Sequence, residues 1–349
     1  MLTAPMRLAC LCIVLLLAMQ PTASGLVAEA VASQPGAQEV HFRNGNLGLA
    51  GLLFIPAGDG PFPGAVVISG SGPSDRDSYW AHAFIDIFLA SGVAVLLPDK
   101  RGTDGSEGDW RSADFDDLAA DARAAVDFLR SRPDIDPGRV GLVGLSQGGK
   151  IAPVAAARTQ TVAFVMDFAG AATSLAEQIN WEMYHTFREA GVEGEALQEA
   201  LSLQLLAEKY VAGELAWDLY KSALDAALAG PGAEVAKGFP SSPDAWQWSF
   251  FRGISTFDPL PSWREVDVPV LVVYGEDDHN APVIRSMYSL IRAFMEEDHP
   301  DWTVRVLPGT GHGLWNPESP DPAHPELHPE LLSLMRDWIR TRITVQRQP

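Results

Sequence analysis

The sequence predicts an α/β fold: an open, mostly parallel twisted sheet flanked by helices and interrupted by a helical insertion. Three observations carry this expectation. Short apolar runs of the kind that build buried parallel strands recur along the chain, and helical patterns separate most of them. One of these runs, at 140–143, leads straight into a glycine-flanked turn and then a helical pattern. Between 171 and about 263 the alternation stops, and the pattern is helical with no strand candidate.

Taken in order, residues 1–24 read as a secretory signal. One positive charge, at Arg7, precedes an unbroken apolar run over 8–19, and small and polar residues follow, with cleavage expected between Ala23 and Ala32. The run is shorter than the ~20 residues of a spanning helix, which leaves an uncleaved anchor as the alternative. Both cysteines, Cys10 and Cys12, lie inside it, so the mature chain is expected to hold neither a disulfide nor a thiol nucleophile.

Residues 38–170 and 264–349 are read as the sheet core. Extended runs at 40–43 and 49–55 flank Asn44-Gly45-Asn46, which suggests an antiparallel hairpin. Runs at 65–68, 93–97, 140–143, 163–166, 270–273 and 303–306 are the expected strands of the parallel part. The clearest helix spans 114–130: Phe115, Leu118, Ala122, Val126 and Leu129 share one stripe, acids fill the first turn, and Pro133 stops the chain beyond Arg130. A last helix is expected over 331–343.

The insertion, 171–263, lies between two sheet strands and is expected to form a lid over the strand ends. It is aromatic-rich, with Trp181, Tyr184, Phe187, Trp217, Tyr220, Trp246, Trp248, Phe250 and Phe251. Most of these rings are expected in the insertion's own core, and a few against substrate.

The formal charge of −20 excludes some partners. Phosphate recognition depends on lysine and arginine clusters that this chain lacks, so neither nucleic acid nor an anionic membrane is expected to bind. The acidic surface reads as solubility in an exported protein, with a small-molecule ester as the expected partner.

The stretch Gly144-Leu145-Ser146-Gln147-Gly148-Gly149-Lys150-Ile151 fits two motifs. A phosphate loop would need serine or threonine at its last position to ligate magnesium, and Ile151 cannot do so. A nucleophile elbow, G-x-S-x-G, needs small residues two before and two after the serine, and Gly144 and Gly148 supply them. A serine nucleophile needs a base, and the base an orienting acid. The run at 270–273 leads into Glu276-Asp277-Asp278, and the run at 303–306 leads into Gly311-His312-Gly313. The order serine, acid, histidine is therefore met at successive strand ends.

With these motifs the chain resembles the α/β-hydrolase fold superfamily, over essentially its whole length from Val40 onward. The nearest subgroup is a bacterial serine esterase and lysophospholipase-like set with a G-S-G-P-x-D-R-D loop, here Gly70-Ser71-Gly72-Pro73-Ser74-Asp75-Arg76-Asp77, and a D-K-R-G segment, here Asp99-Lys100-Arg101-Gly102. The resemblance implies a catalytic triad of Ser146, Asp278 and His312, with Asp278 chosen over its acidic neighbours by the family's G-x-x-D turn. It implies an oxyanion hole from the amide of Gln147 and that of Ser71, with Gly72 the alternative to Ser71. Ser69 departs from the histidine that relatives often carry there. No cofactor and no metal are implied. The expected activity is a secreted carboxylic ester hydrolase. The alternatives are an aminopeptidase-like peptidase or amidase on the same triad, and a catalytically silent binding protein.

Other residues receive plainer readings. Gly70-Ser71-Gly72 lacks the third glycine of a dinucleotide fingerprint. His324 and His328 read as solvated loop residues, not a metal pair. His279 is expected in a local hydrogen bond, and His82 and His185 on the surface or in the lid. Asp75, Arg76 and Asp77 are expected to form an ion-paired brace, and Lys150 to be surface charge.

Overall fold

The computed structural model describes residues 37–73, 76 and 78–344. The expected signal segment, and Asp75 and Asp77 of the expected brace, lie outside the described residues. β1 (Ala37–Asn44) and β2 (Leu47–Phe54) form the antiparallel hairpin, with Asn44 opposite Leu47 and Gly45 at the φ of +56° that so tight a turn requires. Then come β3 (Phe62–Ile68), α1 (Tyr79–Ala90), β4 (Ala94–Pro98), α2 (Phe115–Arg130), β5 (Ile135–Leu145), α3 (Gln147–Ala157) and β6 (Val165–Phe168). Helices follow: α4 (Leu175–Glu189), α5 (Gly194–Val211), α6 (Trp217–Leu228), the single-turn α7 (Ala233–Ala236), α8 (Trp246–Ile254) and α9 (Leu260–Glu265). The sheet resumes with β7 (Val270–Gly275), α10 (Val283–Glu296), β8 (Trp302–Leu307) and α11 (Pro329–Ile339).

The strands order as β1-β2-β4-β3-β5-β6-β7-β8. β1, β2 and β4 pair antiparallel, and every pair from β4 to β8 is parallel. From β3 the chain steps toward one edge to β4, and from β5 onward it steps toward the other. This reversal opens a crevice at the carboxyl ends of β3 and β5, where Ile68 pairs with Gly144. The loops that leave β3, β4, β5, β7 and β8 all emerge at that end of the sheet.

Local chemistry sets these elements. In α2, Asp114 caps the Asp117 amide at 2.8 Å while Asp117 returns to the Asp114 amide at 3.3 Å, a reciprocal capping box. The predicted stripe of Phe115, Leu118, Ala122, Val126 and Leu129 is buried throughout. β5 begins earlier than its apolar run because Ile135 pairs with Phe62 across an irregularity in register. One core contains Phe84, Phe88, Val143 and Phe168 together with Met335 and Trp338 of α11. The Phe84 and Phe168 rings lie 4.5 Å apart. Burying each such ring stabilises the fold by roughly 2–3 kcal/mol.

Among the described residues the chain divides into two compact units, Leu175–Phe257 and the sheet-bearing remainder. The helical unit buries Phe187, Tyr220, Leu224 and Trp248. Its two largest buried rings satisfy their polar tips: Tyr220 Oη donates to the Pro240 carbonyl at 3.2 Å and Trp248 Nε1 to that of Ser242 at 2.8 Å. Trp181, Tyr184 and Trp246 are instead exposed. A cavity of about 320 Å³ inside this unit is lined by Ile179, Met183, Leu205, Trp248 and Phe251, so of the named aromatic residues only Trp248 and Phe251 face it. Among the described residues no helix is long and apolar enough to cross a membrane.

Candidate active site

The site is built from the end of β5. Ser146 adopts φ +53° and ψ −112°, a conformation that costs a non-glycine residue about 1–3 kcal/mol. Close approach of neighbouring backbone fixes it there. A Cβ added to Gly144 would meet the Gly148 carbonyl at 2.4 Å, and one added to Gly148 would meet the Ile68 carbonyl oxygen at 2.1 Å. The Ser146 amide donates to Phe168 O at 2.9 Å, and the Gly149 amide to Ser146 O at 2.9 Å. Ser146 occupies the N-cap of α3, yet its side chain caps no helical amide. Its hydroxyl is turned elsewhere, to His312, whose Nε2 lies 2.9 Å from Ser146 Oγ.

His312 sits on the turn after β8, and the turn after β7 braces it. Asp277 N donates to Thr310 O at 3.0 Å, and Gly309 N donates to Glu276 Oε2 at 3.1 Å. Glu276 is thereby spent on the backbone. Asp278 is the buried member of the acidic run, and its Oδ2 lies 2.9 Å from His312 Nδ1. Its Oδ1 accepts the amides of Asn280 at 2.8 Å and Ala281 at 3.0 Å. The geometry thus brings Ser146, His312 and Asp278 into one hydrogen-bonded series. The Trp80 ring packs 5.6 Å from the His312 ring, a neighbour the sequence did not suggest.

The loop after β3 runs alongside the nucleophile, and a Cβ on Gly70 would lie 3.5 Å from Ser146 Cβ. Lys100, just past β4, holds this loop. Its Nζ donates to Gly70 O, to Gly72 O at 3.0 Å and to Gln147 Oε1 at 3.2 Å. Ser71 stands between the two carbonyls so held, and Gln147 opens α3, where helical geometry leaves the backbone N–H groups without intrahelical partners. Burial pushes the Lys100 ammonium down to about 7. Ser69 is buried at the head of the loop, and Lys100 supplies an anchor for it.

The Gly70–Asp77 and Asp99–Gly102 motifs meet in one ion pair. Arg76 grips Asp99 through Nε at 2.9 Å and Nη2 at 2.9 Å, and reaches Glu39 at 3.0 Å. Among the described residues Arg76 therefore braces its loop against Asp99 and Glu39.

Several plainer readings are overturned. Lys150 is not surface charge: it is only 2% exposed, and its Nζ donates to Ala171 O at 2.6 Å and Thr173 O at 2.9 Å. His82 is buried in α1, with Nε2 on Arg76 O at 2.6 Å and its ring edge-on to Phe54. His328 is buried too and caps α11 by accepting the Glu330 amide, whereas His324 is an exposed loop residue bonded to Asp321. His279 is exposed and His185 lies on α4. Asp167, fully buried behind the elbow, accepts the Gly170 amide at 2.9 Å. Desolvation holds its carboxyl well above the usual range, against the opposing pull of that amide and of Lys150. An aspartate within a four-residue strand gives no signal of this in the sequence.

A model of the alpha/beta hydrolase family matches residues 65–323. Esterase EstD of Thermotoga maritima is 26% identical over 237 residues, which make up 66% of this chain and 50% of that protein. The chain therefore spans about half the length of that curated relative. Among solved structures, an esterase from Pyrococcus furiosus aligns with a TM-score of 0.58 at 14% identity, covering 90% of this chain and 94% of its own. A proline iminopeptidase from Mycobacterium smegmatis aligns with a TM-score of 0.54 at 16% identity, covering 87% and 98% respectively. At these identities the structural likeness extends to the fold.

Proposed function

The chain belongs to the alpha/beta hydrolase family, and from that premise we propose that it is a serine hydrolase cleaving carboxylic esters through an acyl-enzyme. The observation that carries this reading is the series Ser146 Oγ to His312 Nε2 to Asp278, with both links at 2.9 Å. In the first half-reaction His312 Nε2 takes the Ser146 proton as Oγ attacks the ester carbonyl. The tetrahedral oxyanion then collapses, the C–O bond to the alcohol breaks, and His312 gives its proton to the departing alkoxide. In the second half, water loses a proton to His312 and attacks the acyl carbonyl. Ser146 leaves with that proton, and the acid is released. Asp278 holds the imidazole in the tautomer that leaves Nε2 free to accept, and stabilises the transient imidazolium.

The amides of Gln147 and Ser71 are the donors we assign to the oxyanion. One such donor is worth about 10²–10³-fold in kcat. The name of the Thermotoga relative, an esterase, supports ester over amide. The N-terminal pattern supports export of the mature enzyme. Parallel assays of p-nitrophenyl butyrate and aminoacyl p-nitroanilides test the reading. The expected result is an ester kcat/KM at least a hundredfold above any anilide. Anilide turnover equal to ester turnover would move the assignment to a peptidase.

A further inference from the structure

We propose that Lys100 is a positioning residue that locks the two oxyanion donors, the Ser71 and Gln147 amides, into one frame. The inference rests on the serine hydrolase reading and deepens it. An ammonium carries three N–H donors and no acceptor, and here the three find three acceptors: the carbonyls of Gly70 and Gly72 and the side-chain oxygen of Gln147. Two of the three lie on the loop after β3 and the third on the first residue after the nucleophile. One side chain therefore ties together the two segments that carry the donors.

The direction of each bond matters more than the tie. In a trans peptide the C=O of one residue and the N–H of the next point opposite ways. When Lys100 draws the Gly70 carbonyl toward itself, it turns the Ser71 N–H away from itself. Gly70 also adjoins the nucleophile: a Cβ there would lie 3.5 Å from Ser146 Cβ and 4.0 Å from its Oγ. The Gly72 carbonyl is followed by Pro73, which has no N–H, so the same pull aims no competing donor. Gly72 has φ +84°, which a side chain at that position would strain. The positive charge behind the Gly70–Ser71 peptide also polarises its dipole in the sense that strengthens the outward N–H, and the desolvated setting makes that field count.

The neighbouring charges leave Lys100 to this task. Asp99, next to it in sequence, is gripped by Arg76, and Arg101 is paired with Asp121 and Asp117. Among the described residues, burial is the one cause that moves its ionisation, and no carboxylate holds the charge in place.

The test uses the full chain with Lys100→Met, Lys100→Gln and Ser146→Ala variants. It measures kcat and KM on p-nitrophenyl butyrate and inhibition by an alkyl boronic acid, whose tetrahedral serine adduct presents oxygen to the oxyanion donors. A positioning residue costs less than the donor it aims, so Lys100→Met is expected to lower kcat by about 10–100-fold. KM should stay within about threefold, and boronate affinity should weaken in parallel with kcat. Lys100→Gln keeps two N–H donors and is expected to fall between wild type and Lys100→Met. It carries the test if the methionine variant does not fold. Activity lost in Ser146→Ala but retained in the folded lysine variants, with undiminished boronate affinity, would overturn this inference alone. Activity surviving Ser146→Ala would overturn the hydrolase reading and this inference with it.

Discussion

Asp278 turns one carboxylate oxygen to His312 Nδ1 at 2.9 Å and the other to the amides of Asn280 and Ala281, so no rotation about its side chain leaves the imidazole unheld without also breaking those two bonds. Replacement by asparagine keeps the shape but offers an N–H where His312 needs an acceptor, which favours the wrong tautomer. Asp278→Asn is expected to lower kcat by about 10⁴-fold with little change in KM. Asp277→Asn, at an exposed neighbour, should retain most of the activity. Steady-state kinetics on an activated ester checks both, and equal losses would contradict the assignment of the acid.

The elbow should be intolerant of a single methyl group. A Cβ at Gly148 would sit 2.1 Å from the Ile68 carbonyl oxygen, and backbone in mid-sheet has no room to yield. Gly148→Ala is expected to destabilise the chain by about 1–3 kcal/mol and to displace Ser146 from His312. Gly253 on α8 has nothing within 4 Å of its added Cβ, and Gly253→Ala should be neutral or slightly stabilising. Thermal melts of the two variants make the comparison.

The Arg76–Asp99 pair predicts an asymmetric double variant. The Asp99 side chain is only 1% exposed, so Arg76→Met leaves a nearly buried charge without its counter-ion. A loss of about 3 kcal/mol is expected. Adding Asp99→Asn removes that charge while keeping an acceptor for the Gly105 amide, which now bonds Asp99 at 3.1 Å, and should restore more than half of the loss. Urea melts that show strictly additive losses would contradict this.

Lys100 should give activity and stability opposite slopes with pH. Its folded value is lowered from 10.5 to about 7, so between those values the unfolded chain binds more protons than the folded one. Stability contributed by this group is therefore fully present above about 10.5 and is lost as pH falls through about 7. Catalysis should run the other way, because a neutral amine keeps two N–H groups for three acceptors. Melting temperature and kcat of wild type, each referenced to Lys100→Met from pH 6 to 9, are expected to diverge. Parallel slopes would contradict the desolvated tripod.

Most of the fold was legible because its signals are local. Apolar runs separated by helical patterns located each parallel strand within a few residues, and Asp114 announced the start of α2. The positions of Ser146, Asp278 and His312 were legible too, since each follows a strand, and strand ends gather at one side of a parallel sheet. What the sequence hid was decided by distant partners. Lys100 meets acceptors 28, 30 and 47 residues away, and nothing in its neighbours says so. Lys150 lies in the first turn of α3, and only the fold shows two carbonyls waiting at its tip. His82 reads as an ordinary polar residue until α1 turns it onto Phe54 and Arg76 O.

The most direct measurement is the site of covalent capture by a fluorophosphonate probe, which phosphonylates a serine only when a base has activated it. Intact mass and peptide mapping of the probe-treated chain should show one adduct, on Ser146, abolished in Ser146→Ala together with ester hydrolysis. A folded Ser146→Ala protein that still hydrolyses p-nitrophenyl butyrate at the wild-type rate, or a wild-type chain labelled at another serine, would contradict the account.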